Sequence, residues 1–356
     1  MARRAALIAG ATALAACDGP QSALAPRATQ AGEVADLFLW MCIGAAVIWI
    51  AVMGAAVLAV ARPALRGGDR RADRLIVWGG VVFPTVTLAA LLAFGLTLLP
   101  DWADSGARVK VHVTGEQFWW RVEYEVEGRE GRVPSANEVR LPAGEPVEFV
   151  LTAHDVIHSF WIPSLAGKMD MIPGRTTRLL VENAEPGTYR GVCAEFCGPA
   201  HAQMAFAAVV MPPEEFDAWL ARQADPAAPG GTQAPTPGDA PAAERVARPS
   251  WLDAPSAPAP ADPQAAARGA ELFRANGCGG CHRVAGVVEA GASGPDLTRF
   301  GDRLSLGAGI EAPTPERIAA WIRNPQAMKP GARMPAYDAL PPEELAALAR
   351  WLHDLR

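Results

Sequence analysis

Two long apolar segments without a single charge constrain the fold of this 356-residue chain most strongly. Residues 37–61 and residues 75–99 are each 25 positions long and contain no Asp, Glu, Lys or Arg. A helix needs about 20 apolar residues to cross the hydrocarbon core of a bilayer, so both segments are long enough. Core helices of a soluble domain are usually much shorter. We therefore predict a two-helix transmembrane hairpin over residues 30–100.

Charges around these segments predict the orientation of the hairpin. Residues 62–74, between the two segments, contain five arginines and two aspartates, and positively charged loops stay in the cytoplasm. The chain begins with Arg3 and Arg4 followed by apolar residues 5–16, which is typical of a secretory signal. Residues 14–17 resemble a bacterial lipobox, which would make Cys17 the lipidated first residue of the mature chain; ordinary cleavage without lipid is the alternative. We predict a signal peptide over residues 1–17 and a bacterial inner-membrane protein. Both termini and everything after residue 99 would be periplasmic.

Three further regions differ in pattern. Residues 101–222 contain short alternating or β-branched runs at 109–113, 121–126, 148–152, 178–181 and 205–211, separated by Gly and Pro, and predict an all-β sandwich. Residues 223–262 contain 9 prolines and 12 alanines, as expected of a linker. A flexible coil of that length spans on the order of 35 Å. Residues 263–356 place proline in the first turn of three helical segments, which predicts an all-α domain.

A cluster of soft metal ligands lies near the end of the predicted sandwich. Two thiolates, an imidazole and a thioether occur within twelve residues, and ligands of this kind select copper. These are Cys193, Cys197, His201 and Met204. A second imidazole must come from elsewhere, and His158 is the best candidate. A disulfide or a zinc site is the alternative, but neither explains the methionine at this spacing.

The helical domain contains the attachment sequence for a c-type haem, Cys278-Gly-Gly-Cys281-His282. The two cysteines would form thioethers with the haem, and His282 would be the proximal iron ligand. An axial methionine raises the haem potential, and Met328 and Met334 are both candidates. The chain therefore carries two predicted one-electron sites.

The motifs also resemble a known family. Residues 155–160, 172–175 and 193–204 resemble subunit II of haem–copper cytochrome c oxidases, over roughly residues 30–220 of the chain. The resemblance implies a cupredoxin fold that holds a dinuclear copper centre, CuA. In it, Cys193 and Cys197 bridge the coppers, and His158 and His201 are terminal ligands. Met204 is a weak ligand, and Glu195 binds through its carbonyl oxygen. The Glu195 side chain would also help to hold Mg²⁺ at the interface with subunit I.

Residues 294–297 and 324–337 resemble small class I cytochromes c. In that pattern the axial ligand is the methionine before Pro335, which favours Met334 and leaves Met328 as a packing residue. The carbonyl of Pro295 would orient His282. Together the two resemblances indicate a caa-type subunit II, in which a CuA domain is fused to a cytochrome c domain.

The chain departs from the oxidase family at two places. Its aromatic segment has Phe118, Trp119 and Trp120 where the family usually has Trp-Tyr-Trp, and the first of these positions normally receives electrons from cytochrome c. All three are candidates for that role, with core packing as the alternative for the two tryptophans. Asp73 lies where the family often has a glutamate at the mouth of a proton channel.

The resemblance predicts a role in electron transfer. An external cytochrome c would reduce haem c, which would reduce CuA, and the electron would pass to the haem of subunit I. There dioxygen is reduced to water and protons are pumped. Subunit III would be a further partner. One alternative is the corresponding electron-transfer subunit of a nitric oxide reductase. Another is a non-catalytic protein, such as a copper chaperone or a redox sensor. The net charge of −6 argues against a nucleic-acid partner.

Overall fold

The computed structural model describes Gly19 and residues 21–62, 69–99, 105–224 and 263–356. The predicted signal peptide with Cys17, most of the predicted linker and part of the arginine-rich loop lie outside these ranges. The chain divides into two compact units. Residues 32–105 form one of them, and the other contains both the sandwich and the helical domain.

The hairpin unit contains the predicted apolar helices. They are α1 (Thr29–Ala61), α2 (Asp69–Val77) and α3 (Phe83–Thr97), and a π-helical turn, Trp78–Val82, joins α2 to α3. Thr29–Ala61 and Ala72–Thr97 are both long and apolar enough to cross a membrane, with their apolar side chains exposed. Pro84 explains the π turn, because a proline cannot donate to the carbonyl four residues earlier and its ring crowds that carbonyl.

The predicted all-β sandwich is present, and it consists of two five-stranded sheets. One has the order β3-β2-β1-β5-β8, and the other has the order β4-β10-β9-β6-β7. The strands are β1 (Val109–Glu116), β2 (Trp119–Val126), β3 (Val133–Ala136), β4 (Glu138–Pro142), β5 (Val147–Ala153), β6 (His158–Trp161), β7 (Met169–Met171), β8 (Thr177–Val181), β9 (Gly187–Cys193) and β10 (Ala205–Met211).

Strand patterns explain where the core lies. In β1, Val109, Val111 and Val113 are fully buried, whereas the residues between them are only half-buried, as the alternation predicted. In β10 all seven residues are buried, which explains why its sequence is apolar throughout rather than alternating. The sandwich ends with helix α4 (Pro213–Ala224), which extends two residues into the predicted linker.

The helical domain has the predicted all-α architecture. Its helices are α5 (Pro263–Ala275), α6 (Pro315–Arg323), α7 (Pro325–Met328) and α8 (Pro342–His353), with 3₁₀ turns at Cys278–Gly280 and Phe300–Asp302. The first and last helices cross closely at Gly269, where a Cβ atom would lie 2.1 Å from the Cβ of Trp351. Phe273 and Trp351 pack there with ring centroids 5.3 Å apart.

Candidate functional site

The soft-ligand cluster is assembled by two adjacent strands and one loop. Cys193 is the last residue of β9, and the loop that follows returns to β10, closed by a hydrogen bond from the Cys193 amide to the Met204 carbonyl (2.9 Å). His158 begins β6, which pairs with β9 through Phe160 and Cys193. Strand pairing therefore brings an imidazole 35 positions earlier in the sequence to the cysteine loop.

All six predicted copper ligands meet at this point. Cys193 Sγ lies 3.8 Å from Cys197 Sγ, 3.8 Å from His158 Nδ1 and 3.2 Å from the Glu195 carbonyl oxygen. Cys197 Sγ lies 3.7 Å from His201 Nδ1 and 3.8 Å from Met204 Sδ. Both cysteines are free thiols. Two thiolates, two imidazoles, a thioether and a carbonyl at these separations fit a copper centre better than a zinc site.

Hydrogen bonding favours thiolate chemistry in this cluster. The hydrogen bond from Cys197 stabilises the Cys193 thiolate and lowers the pKa of Cys193, with further help from His158. The same hydrogen bond holds the proton on Cys197 and raises its pKa. Burial opposes protonation of His158, but hydrogen bonds to Cys193 and Asp155 outweigh it and raise the pKa of His158. Cys193, Cys197 and His158 thus stabilise one another through shared protons. A soft cation could replace those protons, because the thiolate is the form of cysteine that binds metals.

Two neighbours fix the orientation of His158. Its Nε2 atom lies 2.9 Å from Asp155 Oδ1, which leaves Nδ1 directed at Cys193. A carboxylate on the far nitrogen is a common way of orienting a metal-binding histidine. On the other side, a Cβ at Gly115 would lie 2.7 Å from His158 Cδ2, so only glycine fits there. His158 is fully buried.

The haem motif lines a cavity of about 360 Å³ in the unit that contains the sandwich and the helical domain. Cys278, Cys281, His282 and Met334 all contribute to its walls, whereas Met328 does not. Apolar side chains of the helical domain, including Phe273, Leu297, Phe300, Leu306, Ile322 and Leu348, form a large part of the remainder. A mainly apolar cavity with two thiols, one imidazole and one thioether in its walls fits a covalently bound haem.

Backbone contacts orient His282. Its Nδ1 atom lies 2.8 Å from the Pro295 carbonyl oxygen, as the resemblance implied, so Nε2 is left for iron. Burial lowers the pKa of His282, which favours the neutral imidazole that can act as a ligand. Gly294 allows this close packing, because a Cβ there would lie 2.6 Å from His282 Cε1.

The three candidate aromatic residues occupy different places. Trp120 is buried in the sandwich core, 6.2 Å from the His158 ring between centroids. Phe118 and Trp119 line the haem cavity. Phe118 also lies against the loop between β9 and β10, residues 194–204, which we call the copper loop, since a Cβ at Gly198 would be 3.0 Å from its Cζ atom. A Cβ at Gly331 of the helical domain would be 3.1 Å from its Cε2 atom. The Phe118 ring therefore lies between the two candidate sites.

The interface between the sandwich and the helical domain was not predicted from the sequence. Arg333 lies 3.2 Å from Asp155 Oδ2, so one carboxylate contacts both the helical domain and a candidate copper ligand. The Leu304 amide donates to Glu138 Oε2 (2.9 Å), and the Ala205 amide donates to the Ala308 carbonyl (3.0 Å). These contacts join residues 100 or more positions apart, and no local pattern in the sequence marks them.

Lys329 is the most deeply buried charge at this interface. It is 2% exposed, and burial lowers its pKa to about 7, whereas three carbonyl acceptors around its Nζ atom favour the protonated form. One signal could have attracted attention to it: the helical domain carries 11 basic residues, and Lys329 is its only lysine.

Comparison with known proteins identifies the family of both periplasmic domains. Residues 125–211 match the model for the periplasmic domain of cytochrome c oxidase subunit II, and residues 266–356 match the cytochrome c model. Cytochrome c oxidase subunit 2 of Alkalihalophilus pseudofirmus is 33% identical over 96% of this chain and 94% of its own length. The chain belongs to the cytochrome c oxidase subunit 2 family. Cytochrome c oxidase subunit 2 of Bacillus subtilis is 30% identical over 69% of this chain and 62% of its own length. The periplasmic domain of oxidase subunit II of Bradyrhizobium japonicum is 28% identical, with a TM-score of 0.31, over 33% of this chain and 94% of that one.

Family membership establishes the general role. A cytochrome c oxidase subunit 2 with a cytochrome c domain is the subunit through which electrons enter a haem–copper oxidase. It contains CuA copper and haem c, binds subunit I, and is anchored to the membrane with a periplasmic domain. These findings confirm the predicted function, and nothing in them favours the nitric oxide reductase alternative.

Proposed function

We propose that an electron enters this chain at haem c, passes next to the dinuclear copper centre and leaves for the haem of subunit I. The observation that carries this order is the position of Phe118, which contacts the copper loop at Gly198 and the helical domain at Gly331. Bound haem and copper would each accept and release one electron, and the chain's own residues would hold them close together.

Six residues would hold the copper centre. Cys193 and Cys197 would bridge the metals, His158 and His201 would be the terminal ligands, and Met204 and the Glu195 carbonyl would complete the set, as in the resemblance. Their mutual distances of 3.2–3.8 Å support this assignment. Burial keeps water away from the cysteines and from His158, so the ligands need little rearrangement when the charge on the site changes.

Four residues would hold the haem. Cys278 and Cys281 would form the thioethers, His282 would be the proximal ligand and Met334 the axial one. The presence of all four in the walls of one cavity supports this assignment, and the absence of Met328 from those walls favours Met334.

The surface next to the copper loop supports subunit I as the electron acceptor. Glu195 is exposed, and Phe196 beside it is 74% exposed. In the described parts of the sandwich and the helical domain, Ile157 and Phe196 are the only large apolar side chains that are strongly exposed, and each is next to a proposed copper ligand. We propose that subunit I covers them, with Mg²⁺ held at that interface through the Glu195 side chain.

The remaining proposals concern the surroundings of the chain. They are a cytochrome c as the donor, subunit III as a second partner, a hairpin with both termini in the periplasm, and cleavage and lipidation at Cys17. The five arginines of residues 62–74 support the orientation, and the apolar residues 5–16 before Cys17 support the processing.

Replacing one bridging cysteine tests the order of transfer. In the purified oxidase complex, Cys193→Ser is expected to remove copper from this chain and leave the haem c spectrum intact. Donor would still reduce haem c, but dioxygen uptake would stop. Cys42→Ser is the matched control, because Cys42 is a free thiol in α1 and belongs to neither set of proposed ligands. Dioxygen uptake at the normal rate in Cys193→Ser would show that electrons bypass copper.

Two methionine variants test the axial ligand. Met334→Ala is expected to remove the methionine-to-iron absorption of the oxidised haem and to lower its potential, since an axial methionine raises it. Met328→Ala is the control and should leave the haem spectrum unchanged. The reverse result would assign the ligand to Met328.

A further inference from the structure

One lysine is buried between the sandwich and the helical domain. The chain has three lysines, Lys110, Lys168 and Lys329, and only the last belongs to the helical domain. It follows α7, and its Nζ atom donates to the carbonyl oxygens of Phe118 (2.7 Å), Gln203 (2.8 Å) and Gly307 (2.7 Å). We call these three acceptors the carbonyl pocket.

The chemistry of the pocket matches an ammonium group. A lysine has three N–H donors and no acceptor, so three carbonyls satisfy it completely. A buried charge is tolerated only when it is fully hydrogen-bonded or paired, and here the described partners are all neutral backbone groups. An arginine presents a planar fork of donors and cannot direct three N–H groups from one atom in this way.

The three acceptors lie at functionally distinct places. Phe118 contacts both candidate sites, and Gln203 lies in the copper loop between His201 and Met204. Gly307 belongs to the helical domain and, like Phe118, lines the haem cavity. Since Lys329 itself belongs to the helical domain, its side chain connects that domain to the aromatic segment and the copper loop at one point.

A neighbouring contact reinforces this connection. The Gln203 side chain donates to the carbonyl of Met328, the residue before Lys329, at 3.2 Å. By contrast, the Arg333–Asp155 ion pair of the same interface has an arginine side chain that is 58% exposed. Lys329 is 2% exposed, so we take Lys329 as the central contact and the solvent-exposed Arg333 as a peripheral one.

We propose that Lys329 is a positioning residue for electron transfer, and that its ammonium group holds the helical domain so that the haem lies against Phe118 and the copper loop. The proposal rests on the haem-to-copper order given above. It predicts that the helical domain is held in one position on the sandwich rather than moving freely on its linker.

The first test measures the accessibility of lysines in the intact oxidase. The complex is treated with a water-soluble amine-acylating reagent, and the modification of each lysine is followed by mass spectrometry. Lys168 is exposed and should react fast, whereas Lys329 should react at least about a hundredfold more slowly. Similar rates at both positions would overturn the proposal. This result does not depend on the order of electron transfer, so it fails or succeeds separately from the proposed function.

The second test uses Lys329→Met, with Arg333→Met as the matched variant at the periphery of the interface. Loss of three buried hydrogen bonds should increase the opening of the interface at least about tenfold. Hydrogen exchange of peptides containing Ala205 and Leu304, whose amides donate across the interface, measures that opening.

Electron transfer is measured on the same variants. After rapid reduction of the haem, its oxidation by copper should be at least about tenfold slower in Lys329→Met, while the haem and copper absorption spectra stay unchanged. Arg333→Met should have a much smaller effect on both readouts. Unchanged exchange and transfer in Lys329→Met, or an equal effect of Arg333→Met, would overturn the proposal. If Lys329→Met does not assemble, the labelling of the wild-type complex decides the question.

Discussion

The Gly115→Ala substitution should weaken copper binding although it replaces none of the proposed ligands. Gly115 lies on β1, and an added Cβ would be 2.7 Å from Cδ2 and 2.9 Å from Cγ of His158. Both distances are shorter than carbon atoms tolerate, so one group must move. Without copper the buried ring can shift only by weakening its contacts with Asp155 and Cys193, and copper bound at Nδ1 would oppose that shift further.

The size of the effect follows from overpacking of a rigid core. Inserting one carbon into a well-packed site typically costs about 1–3 kcal/mol. The copper-bound form needs the imidazole in place, whereas the copper-free form can let it shift. The strain therefore falls mainly on the copper-bound form, which corresponds to about 5- to 150-fold weaker binding.

Copper retention in the purified full-length complex measures this. The complex is titrated with a copper chelator, and the loss of the copper absorption and electron paramagnetic resonance signals gives the midpoint. The haem c spectrum of the same sample is an internal reference and should not change. Gly167→Ala is the matched control, because no atom lies within 4 Å of a Cβ at Gly167. Equal midpoints for Gly115→Ala and wild type would refute the idea that copper binding requires His158 in its present position.

Three further substitutions probe the haem site and the interface. Gly294→Ala should alter the haem c spectrum and leave the copper signals unchanged, because the added Cβ would collide with the His282 ring. The reverse pattern would contradict the position assigned to His282. Phe118→Trp should slow haem-to-copper transfer, because the ring is packed between Gly198 and Gly331 and an indole is larger than a phenyl ring. Faster transfer in a flash-reduction experiment would disprove this. Glu138→Gln should remove the carboxylate that pairs with the buried Arg140, at a cost of about 3 kcal/mol, the low end for a broken buried pair, because Asp302 still attracts Arg140. The hydrogen exchange of the Leu304 amide should become faster, and unchanged slow exchange would show that the pair does not hold the interface.

The sequence predicted the parts of both sites that are local in the chain. One loop can bring Cys193, Cys197 and Met204 to the same metal centre only if they are close in the sequence. In the same way, one haem can bind both Cys278 and Cys281 only if few residues separate them. Such patterns can be recognised in one dimension. His158 is only the best candidate for the second imidazole in the sequence, because its position beside the cysteines depends on the pairing of β6 with β9.

The interface could not be predicted in the same way. Lys329, Arg333 and Glu138 are ordinary charged residues, and their roles depend on partners that are far away in the sequence. The linker composition predicted a tether but no docked position. Likewise the sequence predicts β10 as an apolar strand. It does not predict that the amide of its first residue, Ala205, donates a hydrogen bond to the helical domain.

The shared haem cavity has a consequence for redox measurements. Phe118 and Trp119 of the sandwich form part of its lining, so a haem there faces protein where an isolated cytochrome would face water. Solvent exposure and the local dielectric constant help to set the midpoint potential of a haem. The potential of this haem is therefore a property of the whole periplasmic region. A value measured on the excised cytochrome fragment would describe a wetter site than the one that works in the oxidase.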